Sequence, residues 1–162
     1  HSCLVGSEMC IRDSVKAAAE AAGLTVEILR MPDSTRTAAE AAAACGCDVA
    51  QIVKSLIFKG GESGALKLLL VSGANQVDLE KAAALVGEPL ERADPKEVRE
   101  ITGFAIGGVS PLGHMSPVET WMDETLLGFG TVWAAAGAPN AVFEASPDAL
   151  KKAAGAAVAA LS

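Results

Sequence analysis

The sequence contains few of the side chains that bind metals or act in acid–base catalysis. It has two histidines, four cysteines and no tyrosine among 162 residues, and aromatic residues make up 4% of the chain. Zinc sites usually combine two pairs of such ligands at wider spacing, or add histidines. The segment Cys45-Gly-Cys47 has neither, so we expect no metal site and interpret these cysteines as small residues near the end of a helix.

A long apolar run and an excess of basic residues are also missing. No apolar stretch reaches the roughly 20 residues of a membrane-spanning helix, and we interpret the alanine-rich segment 153–161 as an amphipathic surface helix. The 13 basic and 20 acidic residues give a formal charge of −7. Proteins that bind duplex DNA are usually basic, because phosphate contacts release counterions. We therefore expect no DNA and no membrane as partners, and only a local patch for any contact with RNA.

Signatures of nucleotide-driven and serine-hydrolase chemistry are absent as well. Gly64 is followed by alanine, where a P-loop requires lysine and then serine or threonine. The segment 103–108 does not match the dinucleotide fingerprint, and Ser110 lies in GVSPLG instead of the GxSxG of a nucleophile elbow. No signal peptide or disulfide framework is recognisable, which favours the cytoplasm.

What the sequence does contain is typical of one globular domain. Hydrophobic residues make up 51% of the chain and charged residues 20%. The first thirteen residues, HSCLVGSEMCIRD, show no helical or strand periodicity and differ in composition from the alanine-rich chain that follows. We interpret residues 1–13 as a non-native or disordered leader and residues 14–162 as a single domain.

Capping signals and periodicity predict an α+β domain. Capping residues and closing glycines predict helices at 14–23, 37–46, 78–87 and 94–103, and one that begins at Ser146. Strands are predicted at 25–30, 55–59, 66–72, 104–106, 118–122, 131–135 and 141–144. The glycines between the second and third strands predict a hairpin, and the apolar run LKLLLVS predicts a central strand buried on both faces. Because helices interrupt the strands irregularly, we expect a mixed sheet surrounded by helices.

Lys54 directly precedes a predicted strand, within the largely apolar segment QIVKSLIF. A charge in such surroundings needs an anion or a carbonyl oxygen as its partner, and this indicates a functional residue. The alternative is a lysine whose stem covers apolar surface while its amine reaches water. The pattern alone leaves both interpretations open.

The loop Gly107–His114 reads GGVSPLGH. Its paired glycines permit close approach of the backbone, and Pro111 stiffens the turn. Successive amide hydrogens in such a loop can hold a carbonyl group or a developing oxyanion. The structural alternative is an ordinary tight connection between strands, and His114 is either a base near this loop or a solvated loop residue.

Three segments together resemble a known family: STRTAAEAAAACGCDVAQIVKSLIFK, LLLVSGANQVDLEKAAALVG and GFAIGGVSPLGH. They are similar to the YbaK-like aminoacyl-tRNA deacylases and to the editing insertion of bacterial prolyl-tRNA synthetases. The resemblance covers residues 14–162, and Lys54 and the GGVSPLG loop are its most specific parts. It implies a mixed, partly barrel-like sheet surrounded by helices. It also implies an enzyme that hydrolyses the ester of mischarged aminoacyl-tRNA without a metal or organic cofactor.

The resemblance also implies roles for individual residues. Lys54 is expected at the mouth of the pocket, where its charge holds the substrate; it is not expected to act as a nucleophile. Gly107 and Gly108 are assigned to catalysis, because their amides would bind the aminoacyl carbonyl, and one such donor can contribute about 3 kcal/mol. Substrate binding is assigned to the rest of the loop, at Ser110, Pro111, Gly113 and His114. Selectivity is expected from the size of the pocket.

The sequence departs from the family in the segment 133–143. Members that act on cysteinyl-tRNA have a serine and an aspartate there, and some that edit alanine have a histidine. This chain has small residues and Asn140, which we assign as a polar contact to the substrate. The amino acid removed therefore stays open among alanine, serine, threonine and cysteine. Asp123 lies on a predicted turn that either approaches the pocket or caps a helix.

Two classes of function follow from these residues. The first is a trans-editing hydrolase, and the alternative is a module that binds aminoacyl-tRNA or a related acyl ligand without turnover. A third possibility, regulation at the cell envelope, has no support in the sequence. Expected partners are aminoacyl-tRNA and either a synthetase or an elongation factor. Phosphate contacts would fall to scattered bases such as Lys54, Lys59, Lys67 and Arg36.

Overall fold

A computed structural model describes residues 8–24, 27–31, 37–104, 109–112, 114, 116, 118–137 and 141–161, with side chains from Val15 onward. These residues form five α-helices: α1 (Glu8–Ala21), α2 (Ala38–Cys45), α3 (Leu79–Val86), α4 (Pro95–Thr102) and α5 (Pro147–Ala154). Short 3₁₀ turns lie at Val49–Gln51 and Glu124–Gly128. None of the described helices has the length and apolar character of a membrane span.

Local capping chemistry explains where four of the helices begin and end. The first turns of α2, α3, α4 and α5 donate backbone N–H groups to the side chains of Thr37, Asp78, Asp94 and Ser146. Each of these helices ends at a glycine in the left-handed conformation, which other residues rarely adopt. The four predicted helices are therefore confirmed.

The first helix starts earlier than predicted. It begins at Glu8 instead of Ser14, so residues 8–13 are helical. Glutamate, methionine, isoleucine and arginine in this stretch are all compatible with a helix, and no proline or glycine interrupts it. A potential capping residue inside a helix does not by itself start one.

Eight strands form two sheets within the described residues. They are β1 (Ile28–Arg30), β2 (Val53–Gly60), β3 (Leu66–Ser72), β4 (Leu90–Arg92), β5 (Glu119–Asp123), β6 (Val132–Ala135), β7 (Ala141–Ala145) and β8 (Ala157–Ala159). The larger sheet has the order β4-β2-β3-β5-β8, and the smaller one has the order β1-β7-β6. The larger sheet is mixed, because β2 is antiparallel to β3 and β4 whereas β5 is parallel to β3 and β8. All pairs in the smaller sheet are antiparallel.

The hairpin of β2 and β3 forms the centre of the larger sheet, as predicted. Its register runs from Val53 opposite Ser72 to Lys59 opposite Leu66. Every residue of β3 is buried, because strands flank it on both sides and apolar side chains cover both of its faces. Lys54 lies opposite Val71, near the end of the hairpin away from its turn.

The two sheets are linked by a parallel bridge between Ile52 and Trp133. In the described part of the chain they remain two open sheets and do not close into a barrel. The main core includes the fully buried side chains of Phe104, Phe143, Leu68, Leu70 and Met122. The structure is thus a single α+β domain with a mixed sheet surrounded by helices, as expected.

One further expectation about secondary structure was wrong, and another is tested only at its first residue. Segment 153–161 is not a surface helix, because Gly155 ends α5 with a φ of 63° and Ala157–Ala159 then pairs with β5. Alanine is compatible with either state, so the glycine and the free edge of β5 decide the outcome. Phe104 was expected to start a strand but lies in a bend, while residues 105 and 106 are outside the described residues.

The substitution Leu68→Ala tests the assignment of the core. Leu68 has 0% exposure and lies in the main core, so we expect the free energy of unfolding to fall by about 2–5 kcal/mol. The control Leu85→Ala truncates a side chain on α3 that is 48% exposed, and it should change that free energy by no more than about 0.5 kcal/mol. Urea denaturation followed by circular dichroism measures both; equal losses for the two variants would contradict the assignment.

Candidate active site

A cavity of about 250 Å³ opens where the two sheets diverge. It lies between the start of β2, the N-terminal end of α2 and strands β6 and β7. Its described lining consists of Thr37, Ala38, Ala41, Ile52, Val53, Lys54, Ser55, Leu56, Val109, Trp133, Ala134, Ala135 and Val142. The volume is below the roughly 300–1,000 Å³ of pockets for drug-sized ligands, so the cavity suits a small chemical group.

One side of the cavity is formed by an apolar cluster that is separate from the main core. We call it the α2 wall; it consists of Ala38, Ala41, Ala42, Cys47, Ile52 and Trp133. Gly73 packs closely against it, since a Cβ atom there would lie 2.4 Å from the main-chain O of Val49 and 2.9 Å from the Cβ of Ala38. Only glycine therefore lets α2 approach the strands this closely.

Lys54 is the charged residue in the described lining of the cavity. Its Nζ donates a hydrogen bond to the main-chain O of Asn75. Burial lowers the pKa of the Lys54 ammonium, because loss of water disfavours the charged form. An ammonium group has three N–H donors, so this contact to a neutral carbonyl leaves donors for a further partner.

The segment that holds Lys54 is tied to β5 through the side chain of Asn75. Its Nδ2 donates to Oδ2 of Asp123 at 3.3 Å and contacts Oγ1 of Thr125 at 3.1 Å. Asp123 is fully buried at the end of β5. It occupies the N-cap position of the 3₁₀ turn, yet its side chain makes no capping hydrogen bond. The capping interpretation is therefore wrong, and the carboxyl group holds the segment after β3.

Ser55 adds a hydroxyl group to the polar side chains that line the cavity. Its Oγ is buried and has no hydrogen-bond partner among the described residues. A buried hydroxyl without a partner costs about 1–3 kcal/mol, and a bound group that hydrogen-bonds to it would recover that energy. Ser55 is therefore a candidate contact for a ligand.

The glycine loop reaches the cavity through Val109. Ser110 and Pro111 are buried beside it, and Oγ of Ser110 accepts the N–H of Leu112 at 3.1 Å. The described lining of the cavity includes neither residue, and His114 is also not part of it. The other predicted site residues lie outside the described residues: Gly107, Gly108, Gly113 and Asn140.

His114 is tied to the loop itself. Its Nε2 lies 2.6 Å from the main-chain O of Ser110, and because a carbonyl only accepts, this nitrogen carries the hydrogen. The ring also packs edge-on against Phe104, with centroids 5.7 Å apart. Burial lowers the pKa of His114, although its bond to Ser110 acts in the opposite direction. A neutral imidazole that donates to the backbone stabilises the loop, and this placement gives it no contact with the cavity.

The two cysteines at the end of α2 are poor nucleophiles. Burial, followed by the nearby Cys47 and Glu144, raises the pKa of Cys45 to about 11. Burial and then Asp48 raise the pKa of Cys47. Thiols with raised pKa values are protonated near neutral pH and react slowly. Cys47 belongs to the α2 wall and Cys45 is the last residue of α2, which supports the interpretation of both as small structural residues.

Of the bases predicted to contact phosphates, Lys67 is unavailable. It is 5% exposed, and its Nζ lies 2.7 Å from Oε2 of Glu119 and 3.8 Å from Oε2 of Glu88. That prediction was wrong, because a buried ion pair leaves no free charge for a nucleic acid. Lys59 forms an ion pair with Glu97 at 3.1 Å, and Arg36 is outside the described residues.

Sequence reasoning missed Ser55 and Asn75. Serine beside Lys54 is unremarkable in a strand, and only the three-dimensional packing shows that its hydroxyl has no partner. Asn75 follows a buried strand and Gly73, which indicates a turn. The sequence therefore indicates a turn with an amide side chain. It does not indicate the partner of that amide, because Asp123 is 48 positions away and no local pattern connects the two residues.

Comparison with known proteins identifies the family to which this chain belongs. The family model of the aminoacyl-tRNA editing domain matches residues 32–153. A crystal structure of a candidate trans-editing enzyme for prolyl tRNA synthetase superposes with a TM-score of 0.87 and 53% identity, over 93% of this chain and 96% of that one. The likeness therefore extends to sequence as well as fold.

Two further relatives come from bacteria. The uncharacterised protein YwhH of Bacillus subtilis is 32% identical over 126 residues, which are 78% of this chain and 80% of YwhH. EbsC of Enterococcus faecalis, a candidate Cys-tRNA(Pro)/Cys-tRNA(Cys) deacylase, is 26% identical over 115 residues and 70% of each chain.

Fold and relatives together define an aminoacyl-tRNA deacylase. The chain belongs to the aminoacyl-tRNA editing domain family, and the resemblance found in the sequence is confirmed.

The unpartnered hydroxyl of Ser55 predicts opposite effects on stability and activity. In Ser55→Ala the buried hydroxyl is removed, so we expect the free energy of unfolding to stay the same or rise by up to about 1 kcal/mol. If the hydroxyl contacts the substrate, deacylation should slow in the same variant. Thermal unfolding and a deacylation assay measure the two effects; a loss of stability would show that the hydroxyl has a partner.

The neutral ring of His114 predicts a pH-dependent contribution to stability. Its folded pKa lies below the ordinary 6.5, so the unfolded chain binds the proton first as the pH falls. The contribution is complete above about pH 6.5 and is lost as the pH falls through the lowered folded pKa. The difference between the melting temperatures of the wild type and His114→Gln should therefore become smaller as the pH falls from about 6.5 through the lowered folded pKa. A difference that is constant with pH would contradict a buried neutral imidazole.

Proposed function

We propose that this chain is a trans-editing hydrolase that removes a small amino acid from mischarged tRNA. The observation that supports this most directly is the ammonium of Lys54 at a small, largely apolar cavity. An aminoacyl ester combines a small side chain with a polar carbonyl group. The cavity provides space for the first, and Lys54 provides a charge for the second.

The size of the cavity supports a small amino acid. Four alanines contribute to its lining, two from α2 and two from β6. A larger side chain would collide with these walls, and steric exclusion discriminates more strongly than the attraction of one methylene, which amounts to about 1–3 kcal/mol. Alanine, serine, threonine and cysteine are the proposed substrates. Ser55 offers a hydrogen bond that would favour those with a polar side chain.

The proposed reaction is hydrolysis of the ester by water. The water oxygen attacks the aminoacyl carbonyl carbon, and negative charge develops on the carbonyl oxygen. The bond to the ribose oxygen then breaks, and that oxygen takes up the proton that the attacking water gives up, as the amino acid leaves. Lys54 stabilises the oxyanion by its charge, and the amides of Gly107 and Gly108 are proposed as additional donors, each contributing about 3 kcal/mol.

Water is the proposed nucleophile because the described side chains of the cavity provide no activated alternative. The nearby thiols are protonated, and His114 donates to a backbone carbonyl. We propose that the pocket and the terminal ribose hydroxyl of the tRNA orient the water. No metal is needed in this scheme, because the ammonium and the amide dipoles meet the charge of the oxyanion.

The proposed tRNA is the one that prolyl-tRNA synthetase charges. The names of two relatives support this, since one is a candidate trans-editing enzyme for that synthetase and the other a candidate Cys-tRNA(Pro) deacylase. The net charge of −7 requires that a local patch contacts the tRNA, or that a bound synthetase contributes affinity.

Deacylation of a panel of tRNA(Pro) species charged with alanine, serine, threonine, cysteine or proline tests this function. We expect the wild type to release one or more of the four small amino acids and to spare proline. Lys54→Ala should lower kcat/KM by about 100- to 1,000-fold, the usual loss when a group that stabilises an oxyanion is removed. The control Lys96→Ala removes the same charge from an exposed site on α4, and it should stay near the wild-type rate.

Two results would contradict the proposal. The first is a wild type that cleaves none of these esters at micromolar enzyme concentration. The second is a Lys54→Ala variant with full activity, which would remove the ammonium from the mechanism. Circular dichroism of each variant distinguishes a chemical effect from a loss of fold.

A further inference from the structure

The end of β3 and the segment that follows it are held by hydrogen bonds to the residues just before β2. Oγ of Ser72 donates to the main-chain O of Ala50 at 2.7 Å, and the N–H of Gly73 donates to the main-chain O of Ile52, also at 2.7 Å. The N–H of Asn75 then closes a turn onto the O of Ser72 at 3.0 Å. This segment therefore has a defined position relative to Lys54.

The side chain of Asn75 fixes the far end of the same segment. Its Nδ2 reaches both the buried Asp123 and Thr125, at 3.3 Å and 3.1 Å. These two residues end β5 and begin the 3₁₀ turn, and β5 is paired in parallel with β3. The main-chain O of Asn75 accepts from Nζ of Lys54. Asn75 thus joins the lysine to the frame of the larger sheet.

We propose that Asn75 is a positioning residue that holds the Lys54 ammonium at the cavity in its charged form. This inference rests on the proposed function, in which Lys54 anchors the substrate. Asn75 acts through Lys54 and is not proposed to touch the substrate. Its side chain fixes the carbonyl, and the carbonyl fixes the ammonium.

A long side chain such as lysine needs a fixed hydrogen-bond acceptor more than a short side chain does. Its four-carbon stem is flexible, and ordering it costs conformational entropy. A fixed acceptor selects one direction for the ammonium and still leaves N–H donors for the aminoacyl carbonyl. The bond also favours the charged form, and so it opposes the effect of burial on the pKa of Lys54.

The substitution Asn75→Ala tests the inference. Without the amide, the segment is released from Asp123 and Thr125, and its carbonyl no longer has a fixed position. We expect kcat of deacylation to fall by about 10- to 100-fold, with a smaller change in KM, as is typical when a reacting geometry is displaced. The control Gln76→Ala removes a neighbouring amide side chain that is exposed, and it should leave both constants unchanged.

The pH dependence of the rate separates positioning from a loss of folded protein. If the carbonyl supports the charged ammonium, its displacement lowers the pKa of Lys54 further. The alkaline decline of kcat, after subtraction of spontaneous ester hydrolysis, should therefore begin at lower pH in Asn75→Ala than in wild type. A purely structural defect would reduce the rate equally at every pH and lower the melting temperature.

Each outcome decides between the proposals. If Lys54→Ala is inactive while Asn75→Ala keeps both the wild-type kcat and its pH profile, the positioning role is wrong and the proposed function stands. If Lys54→Ala is fully active, the proposed function itself fails. Should Asn75→Ala not fold, Thr125→Val replaces it, because Thr125 is exposed and provides one of the two contacts of the amide. That variant should shift the alkaline decline in the same direction, and an unchanged profile would overturn the inference.

Discussion

The bridge between Ile52 and Trp133 is the contact on which the site depends. It joins the larger sheet, which is mixed, to the smaller sheet, which is antiparallel. The cavity lies beside this bridge. Lys54 follows the bridge by two residues, so the same strand that connects the sheets also delivers the charge. Strand β3 pairs with β2, the strand that contains Lys54. It continues into the segment that ends at Asn75, whose main-chain O accepts from Lys54.

Features with local causes were predictable from the sequence. Thr37, Asp78, Asp94 and Ser146 each signal a helix start through a bond to a backbone N–H group only two or three positions away. The β2–β3 hairpin is also local, since glycines separate two apolar runs. Strands β4 and β8 were not predicted, because each has three residues and exists through pairing with a distant strand.

The candidate site likewise combines features that have local causes with features that depend on residues far away in the sequence. Lys54 stands out in the sequence because a charge in an apolar segment is unusual in any context, and it lines the cavity. Of the GGVSPLG loop, the described lining includes Val109; the roles assigned to the other loop residues stay predictions. Asn75 was not found, because its amide has its partners 48 and 50 positions away. Lys67 was misjudged for the related reason that its carboxyl partners come from other elements. Which charges are free for a ligand is a property of packing, and sequence spacing does not record it.

The separation of the α2 wall from the main core has a consequence for how this protein can evolve. The wall is built from an eight-residue helix and a few strand residues, whereas stability comes chiefly from the large side chains of the other cluster. Because marginally stable proteins lose function readily when their cores change, a specificity surface outside the core can vary more freely. Under the proposed function, exchange among small residues at Ala38 or Ala41 would alter which acyl group fits, while the sheets that carry Lys54 stay intact. If the proposed function holds, this architecture lets the preference for an acyl group change without a change in the sheets that position Lys54.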